Sequence, residues 1–458
     1  MAWNFIGADR DQQFLMPPDM RDWLPEDDLA WVVLDAVEQC DLGAFTRAYR
    51  EDGQGRPAFD PAMMVALLLF GYCHGVRSSR EIERRCVRDV AFRVIAGGLR
   101  PDHATLARFR ARHEAALGSL FTEILRLCAE AGLVRLALLA VDGTKVAANA
   151  SWSANRTLEQ LDAELAEAAA AMLADAAAVD AAEDQQFGSS RGDELPEPLR
   201  TRGGRLARLT EARDRLAAER QARLDEQQAK LAAWQARKDD PTRRRGPGTK
   251  PSTRPREGSA NSGSPLRANS TDPQARTVRS KNTMIVGYNA QAVVTLDQII
   301  VGATVSQKEV DRNLLHDVLD TTRCQLRAAG VRPRLRTVVA DSGYVSEAVF
   351  AQAHQDDIRL LAPLSKDTRL MRDGGDPAAG KDLSRRPETA RGQRRLRHHR
   401  GRADYRQRGR TVEPVFGQLK TRQNITRFSR RGITAVTSEW HLASAAHNLL
   451  KLHRQQQA

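Results

Sequence analysis

Apolar positions in residues 1–135 recur at helical spacing, so this part of the chain is predicted to be an N-terminal all-α domain. The clearest stretch is 60–70, because Asp60 and Pro61 are typical of a helix start and the positions after them are apolar on nearly all sides. That pattern predicts a buried helix. Shorter helices with arginine on their polar faces are predicted at 77–84, at 101–110 and from there through residue 127.

Two roles fit this N-terminal domain. Several short helices with exposed arginines suit a small bundle that binds DNA, although one sequence indicates a helix-turn-helix only weakly. A helical domain used for packing or dimerisation, whose arginines simply face water, would have the same pattern. The sequence leaves both roles open.

Short apolar runs bounded by turns predict a mixed α/β body in two pieces, 136–149 and 284–458. Strands are predicted at 136–141, 335–340 and 358–362, and a hairpin of two strands at 286–294 and 298–305. Helices are predicted at 311–329, 346–355, 410–421 and 439–453. This is the order of an RNase H-like fold, which is a mixed sheet with helices on its faces. In that order the strands at 136–141 and 335–340, each of which runs into an aspartate, are neighbours at the centre of the sheet.

Residues 150–283 interrupt this body and are predicted to be an insertion. Leucines in 158–172 and 209–234 recur at spacings of three, four, seven or eight in Ala-, Glu- and Arg-rich sequence, which predicts a helical pair or coiled-coil-like arm. Pro, Gly, Ser and Arg dominate 239–283 without any period, so a flexible linker is predicted there. Residues 366–405 are polar and rich in arginine, and no element is predicted for them.

Charge and composition narrow the classes of function. The chain carries 71 Lys and Arg against 58 Asp and Glu, a formal net charge of +13, which favours nucleic acid as a partner over a membrane surface. No apolar run reaches the roughly 18 residues that a membrane helix needs, and the start of the chain lacks the pattern of a secretory signal. The five cysteines are scattered without a Cys-x-x-Cys pair, which argues against a disulfide framework or a cysteine zinc site. A cytoplasmic protein with no membrane partner is therefore expected.

Three acidic residues are candidates for a metal site: Asp142, Asp341 and Glu413. In the predicted fold the two aspartates lie at the carboxyl ends of neighbouring central strands, where α/β sheets place functional groups, and the helix with Glu413 can pack beside them. Converging carboxylates repel one another unless a cation binds, and oxygen ligands favour Mg²⁺ or Mn²⁺. Two such ions would serve an in-line phosphoryl transfer.

Each acid also has an ordinary structural explanation. Asp142 before a glycine is typical of a turn, Asp341 of a turn or helix cap, and Glu413 of a solvated helix surface. Their shared context favours the metal site, because two apolar strands each run into an aspartate and Glu413 lies in the most basic part of the chain. That part, 391–431, holds fourteen Lys and Arg and two acids.

The C-terminal part of this basic region resembles the signature Tyr-x2-Arg-x3-Glu-x6-Lys of the bacterial insertion-sequence DDE transposases. Tyr405, Arg408, Glu413 and Lys420 fill its four positions, but one extra residue separates Arg408 from Glu413, so Arg410 is an alternative for the arginine. Glu413 and Lys420 are seven positions apart and so share a helix face. Further segments similar to this family are 59–112, 141–144, 287–291, 340–344 and 427–432.

The resemblance implies a transposase that cleaves DNA and transfers the cut strands, with Asp142, Asp341 and Glu413 as catalytic residues and as ligands of two Mg²⁺ or Mn²⁺ ions. DNA contacts are then expected from basic and aromatic side chains, namely Tyr405, Arg408, Arg410, Lys420, Arg427, Arg430 and Arg431. The expected partners are terminal inverted repeats, target DNA and a second copy of the chain in a dimeric synaptic complex. Such a protein would act at the bacterial nucleoid in the cytoplasm.

Two other functions remain open at this point. A catalytically inactive, transposase-derived DNA-binding protein would keep the basic surface, but the three intact acids argue against it. Another RNase H-like nuclease, such as a junction resolvase, would keep the acids. The long insertion and the separate helical domain fit that nuclease less well.

Overall fold

A computed structural model describes residues 19–49, 57–179, 202–239, 266–280, 283–364, 375–376, 378 and 381–457. The N-terminal part is helical, as predicted, and contains α1 Leu29–Glu38, α2 Gly43–Thr46, α3 Pro61–Cys73, α4 Ser79–Arg88, α5 Val90–Ile95, α6 His103–Arg112 and α7 Glu114–Glu130. Asp60 caps α3 by accepting a hydrogen bond from the Ala62 amide, and Pro61 is the first residue of the helix. Most of α3 is buried, because its apolar residues lie on every side.

A mixed sheet lies at the centre of the molecule. The strands in chain order are β1 Leu139–Ala147, β2 Asn155–Arg156, β3 Ala268–Asn269, β4 Arg276–Ser280, β5 Thr283–Thr295, β6 Ile300–Ser306, β7 Thr337–Val339 and β8 Arg359–Leu361. In the main sheet β1 is central, antiparallel to β5 on one side and parallel to β7 on the other. β7 continues in parallel to β8, while the far edge of β5 pairs with β4 and β6. The predicted hairpin and the predicted pairing of the two central strands are confirmed.

Two long helices, α8 Leu158–Val179 and α9 Arg202–Asp239, form the predicted helical arm. They pack through a small core of their own, which consists of Leu161, Leu209, Ala212, Leu216 and Ala268. The segment between the two helices, 180–201, and the first part of the predicted linker, 240–265, lie outside the described residues. No helix in the described ranges, these two included, combines the length and apolar composition needed to cross a membrane.

The C-terminal helices are α10 Leu315–Ala328, α11 Glu347–Gln355, α12 Pro387–Arg397, α13 His399–Arg406, α14 Arg408–Thr421 and α15 Ile433–Gln456. α15 begins earlier than the predicted 439–453 and packs against α3, α7 and β6. Buried residues from Leu29 to Leu452 consequently form one continuous cluster. The boundary predicted at residue 135 is therefore not a break in the core, and packing is one role of the N-terminal helices.

A buried ion pair fastens the N-terminal helices to the C-terminal segment. Arg77 Nη1 lies 2.8 Å from Glu439 Oε1, and the same guanidinium donates to the Asn424 and Arg427 carbonyls at 2.7 and 2.8 Å. Glu439 also accepts hydrogen bonds from the Ser429 amide and hydroxyl. Removing one partner of such a pair would leave the other charge buried and unpaired, so the junction depends on both.

The sequence-based predictions for the linker and for residues 366–405 are wrong in part. The linker predicted through residue 283 ends earlier, because β3 and β4 lie within it. An edge strand needs one buried face, and in β4 that face is Val278 alone, which is too little to form a pattern. No element is predicted over 366–405, whereas α12 and α13 lie there. The buried face of α12 is mostly small or polar and gives no hydrophobic period, since it consists of Thr389, Gly392, Gln393 and Leu396.

Gly75 lies where the turn between α3 and α4 docks on the C-terminal segment. Its φ is +71°, and a Cβ added to it would stand only 2.5 Å from the Arg422 carbonyl oxygen. We expect Gly75→Ala to lower the free energy of unfolding by about 2–4 kcal/mol, through left-handed strain plus the clash. Gly330→Ala is the matched control, because Gly330 has the same φ of +71° but no described atom within 4 Å of its Cβ position. The control should cost about 1 kcal/mol. Urea unfolding followed by circular dichroism measures both losses, and equal losses would contradict the docking.

Candidate active site

The parallel pairing of β1 with β7 brings two of the three predicted acids together. Ala140 pairs with Val339, and the same register continued by two residues sets Asp142 opposite Asp341. Neighbouring strands are about 4.8 Å apart, so the two carboxylates lie at the same edge of the parallel pair. The expectation that the two strands are neighbours at the centre of the sheet is confirmed, and the continued register is consistent with neighbouring aspartates.

Asp142 does not end its strand, although the sequence suggests a turn there. β1 continues beyond it in antiparallel pairing with β5, where Asp142 lies opposite Ala292. The explanation of Asp142 as a turn residue is therefore wrong. Gly143 is needed for a different reason, since a Cβ at that position would clash with the Gln291 amide and lie 2.8 Å from Asp311 Oδ1. The Gly143 amide donates to Asp142 Oδ1 at 2.9 Å.

Asp341 lies just past β7, where it caps a short helix. Its Oδ1 accepts a hydrogen bond of 2.7 Å from the Gly343 amide at the start of the 3-10 helix Ser342–Tyr344. The ordinary explanation of Asp341 as a cap is thus confirmed. A cap and a ligand are compatible roles, because a carboxylate has two oxygens with several lone pairs.

Glu413 lies on α14, which packs against β1 and β5. Its side chain is 60% exposed, on the side of the helix away from the buried residues. Pro414 stands inside α14 and cannot donate to the Arg410 carbonyl one turn earlier. Gln298 Nε2 donates to that carbonyl instead, at 3.0 Å, and so compensates for the missing helical bond.

Arg408, the first residue of α14, joins two of the acids. Its Nη2 lies 2.6 Å from Asp142 Oδ2, and its Nη1 lies 3.3 Å from Glu413 Oε1. The side chain is 13% exposed, and Nε has no hydrogen-bond partner among the described residues. The sequence predicts a DNA contact for Arg408, whereas here its guanidinium is bound to carboxylates.

Burial and like charge control the ionisation of Asp142. Burial raises the pKa of Asp142 to about 6, the Arg408 guanidinium opposes this rise, and the Asp341 and Asp311 carboxylates add to it. For Arg408 the balance is reversed. Burial lowers the pKa of the guanidinium, but Asp142, Tyr405, Asp341 and the other nearby acids outweigh burial, so the pKa is raised above its usual value.

A buried polar network, which the sequence analysis did not identify, supports the aspartates from the β5 side. Asp311 Oδ1 accepts hydrogen bonds from Asn289 Nδ2 at 2.8 Å and Gln291 Nε2 at 2.9 Å, and Lys145 Nζ lies 3.3 Å from it. The Tyr344 hydroxyl donates to Gln291 Oε1. Burial and the nearby acids raise the pKa of Tyr344 well above its usual value. In the sequence, Asn289 and Gln291 are marked only because segment 287–291 is similar to the family named above.

The donor set fits a hard divalent cation, but the three acids do not surround a common point. Asp142, Asp341 and Glu413 offer oxygen atoms, which Mg²⁺ and Mn²⁺ prefer as ligands. Within the described residues, however, no three His, Cys, Asp or Glu side chains are arranged to hold one ion. The Arg408 guanidinium stands between Asp142 and Glu413.

The remaining predicted DNA contacts differ in exposure, with Arg410 and Arg427 exposed and Tyr405 and Lys420 half-buried. Arg430 pairs with Glu114 of α7, and Arg431 Nε donates to the Asn149 carbonyl at 2.7 Å. These two arginines therefore help to hold the C-terminal segment against its neighbours. Burial raises the pKa of Tyr405 to about 12, and the three predicted acids act in the same direction while Arg408 opposes them.

Two protein-family models match the chain. Residues 18–112 match a model described as a transposase domain, and residues 253–449 match a model described as a transposase DDE domain. The second match contains Asp341 and Glu413, while Asp142 lies before it. Searches among curated proteins and among solved structures gave no match.

Asp142→Asn should stabilise the metal-free protein at neutral pH. The pKa of Asp142 is about 6 in the folded chain against an ordinary 3.8, so stability is lost as pH rises through about 6 and is regained below the lower value. Asparagine carries no such penalty. The variant should therefore exceed wild type by about 1–3 kcal/mol near pH 7.5, and this excess should disappear near pH 4.

Urea unfolding in the presence of a chelator measures the difference at both pH values. Asp317→Asn, a change at an exposed aspartate, is the control and should show no comparable gain. An Asp142→Asn protein that is no more stable than wild type near neutral pH would contradict the assigned electrostatics.

Proposed function

The chain belongs to the insertion-sequence transposases of the DDE type, and we propose that it cleaves DNA at the ends of its own element and joins those ends to target DNA. Transposases of this type bind DNA, act as nucleases and strand transferases, and depend on divalent metal ions. We assign catalysis and metal binding to Asp142, Asp341 and Glu413. The sheet order, with β1 between β5 and β7, supports an RNase H-like catalytic domain.

One observation carries this assignment. The parallel register sets Asp142 beside Asp341, and Arg408 links Asp142 to Glu413, so three distant parts of the chain bring their acids to one region. Neighbouring buried carboxylates destabilise a fold unless a positive charge compensates for them. A binding role for a divalent cation explains an arrangement that packing alone would not favour.

When a pair of divalent ions is bound, it supplies activation of the attacking hydroxyl and stabilisation of the leaving oxygen in an in-line displacement. Asp142 and Asp341 would hold the ions from the sheet, and Glu413 would hold them from α14. Arg410 and Lys420 lie on the same helix as Glu413, where their charges would position DNA phosphates. Terminal inverted repeats and target DNA would be bound by a dimer of the chain.

A non-catalytic DNA-binding protein is the second candidate. One observation favours it, namely that no three acidic groups within the described residues are arranged around one ion. This candidate keeps the basic surface and needs no metal. Binding of element ends without any Mn²⁺-dependent or Mg²⁺-dependent nicking would establish it in place of the enzyme.

Substituting the three acids tests the catalytic assignment. Asp142→Asn, Asp341→Asn and Glu413→Gln should each reduce cleavage and strand transfer by about a thousandfold or more, because each removes a charged ligand at nearly constant side-chain size. The substrate is a duplex that carries an element end, taken from the DNA flanking the coding sequence. Each variant should still bind this duplex, as an electrophoretic mobility shift would measure.

Two exposed acids provide matched controls for these substitutions. Asp317→Asn and Glu309→Gln should leave both cleavage and joining unchanged. Wild-type joining by any of the three site variants would remove that residue from the catalytic set. Products that are hydrolysed but never joined would indicate a nuclease rather than a transposase.

DNA binding through the basic region 391–431 should weaken steeply with salt, because counterions are released from each phosphate that is contacted. Arg410→Ala, at an exposed position beside Glu413, should flatten the slope of log affinity against log salt by about 0.9. Arg279→Ala, at an exposed position of the edge strand β4, is the control and should leave the slope unchanged. Fluorescence anisotropy over a salt series measures both, and an unchanged slope for Arg410→Ala would exclude a phosphate contact by that residue.

A further inference from the structure

The Arg408 guanidinium lies between two acids of the proposed metal site. We propose that Arg408 is an internal counter-ion of the site and competes with the divalent cation for Asp142 and Glu413. This inference rests on the proposed metal-dependent function. It concerns the metal-free protein, in which the acids would otherwise be uncompensated.

The contacts of Arg408 use both arms of the guanidinium. Nη2 lies 2.6 Å from Asp142 Oδ2, and Nη1 lies 3.3 Å from Glu413 Oε1. A planar guanidinium that bridges two carboxylates fixes their relative position as well as their charge. It thereby holds an acid of the sheet and an acid of α14 near each other while the ion is absent.

A divalent cation and this guanidinium would repel each other at the Asp142 carboxylate. Mg²⁺ needs its oxygen ligands at about 2.1 Å. If Asp142 Oδ2 approached a cation that closely and kept its 2.6 Å contact with Arg408, a double and a single positive charge would lie within about 5 Å of each other. Binding of the ion is therefore weakened for as long as Arg408 stays on this oxygen.

Other charges near Asp142 do not replace Arg408. Lys145, on the same strand, lies 3.3 Å from Asp311 Oδ1 and is paired there. Asp341 and Asp311 both act on Asp142 as like charges. Among the described groups with the largest influence on Asp142, Arg408 is the positively charged one, so loss of Arg408 would leave the acids without their counter-charge.

The attachment of Arg408 permits the exchange. Its Nε has no hydrogen-bond partner among the residues that the structure describes, so the acids hold this guanidinium by its two terminal nitrogens. The residue is the first of α14, so no residue of that helix precedes it. A released guanidinium would be available to a DNA phosphate beside the site.

The test measures Mn²⁺ binding to the full-length, metal-free protein by electron paramagnetic resonance, without DNA. Arg408→Gln should bind Mn²⁺ about tenfold more tightly than wild type, because no charge-assisted partner has to be displaced. Arg408→Lys keeps the charge but loses the planar fork, and its affinity should fall between the two. In a chelator, Arg408→Gln should unfold at a lower temperature than wild type, and saturating Mn²⁺ should raise its melting temperature by more.

Arg406→Gln, which removes an exposed arginine of α13, is the control and should leave Mn²⁺ affinity unchanged. Equal or weaker Mn²⁺ binding by a folded Arg408→Gln protein would overturn the proposal, and Arg408→Lys decides the matter if the glutamine variant does not fold. If the Arg408 proposal is overturned in this way, loss of Mn²⁺ binding in Asp142→Asn would still support the proposed metal site. If the wild-type protein binds no Mn²⁺, the proposed metal-dependent function fails and this inference fails with it.

Discussion

The site depends on one constraint, which is that the parallel register of β1 and β7 forces Asp142 to lie beside Asp341 where burial has removed most of the solvent. Burial is the main reason that the pKa of Asp142 is raised, and the neighbouring Asp341 carboxylate adds to the rise. The surrounding contacts offset this repulsion. Backbone amides donate to both carboxylates, Arg408 neutralises one of them, and the buried amides of β5 hold the strand behind them. The acids therefore depend on these contacts, and above all on the Arg408 guanidinium, for their compensation.

The position of Glu413 is set from farther away, by the segment that links α14 to α15. This segment runs past the end of β1, where the Phe428 amide donates to the Ala147 carbonyl at 2.8 Å. The Arg77–Glu439 ion pair then ties the same segment to the turn before α4. The N-terminal helices therefore help to orient the helix that carries the third acid. Whether they also bind DNA remains a prediction, because their packing role neither requires nor excludes it.

Local pattern was sufficient to predict the hairpin, the buried helix α3 and the presence of a strand next to each aspartate, but not that β1 continues through Asp142 to Ala147. It could not reveal α12, whose buried face includes Gly392 against Phe350 and Gln393 with the Ala362 carbonyl. Such contacts depend on shape and on hydrogen bonds with residues distant in the chain, so they leave no hydrophobic periodicity in the sequence. The same limit applies to the site. Motifs identified the acids, but the pairing of Arg408 with two of them and the Asp311 network depend on strand register and helix placement.

Helix geometry explains why the arginine of the signature is bound to the acids in this chain. In the signature, arginine and glutamate are four residues apart and share a helix face, but that position here is Gly409, where a Cβ would lie 3.8 Å from Glu413 Oε2. Arg408 lies one residue earlier and is turned by about 100° around the helix, so its side chain can reach Asp142 on the sheet while one arm of the guanidinium still contacts Glu413. Arg410, three residues before Glu413, lies on the Glu413 face and is exposed. Because of the extra residue, Arg408 and Arg410 stand on either side of the position that a single arginine has in the signature. Arg408 compensates the acids, while Arg410 has the exposed place from which a phosphate can be held.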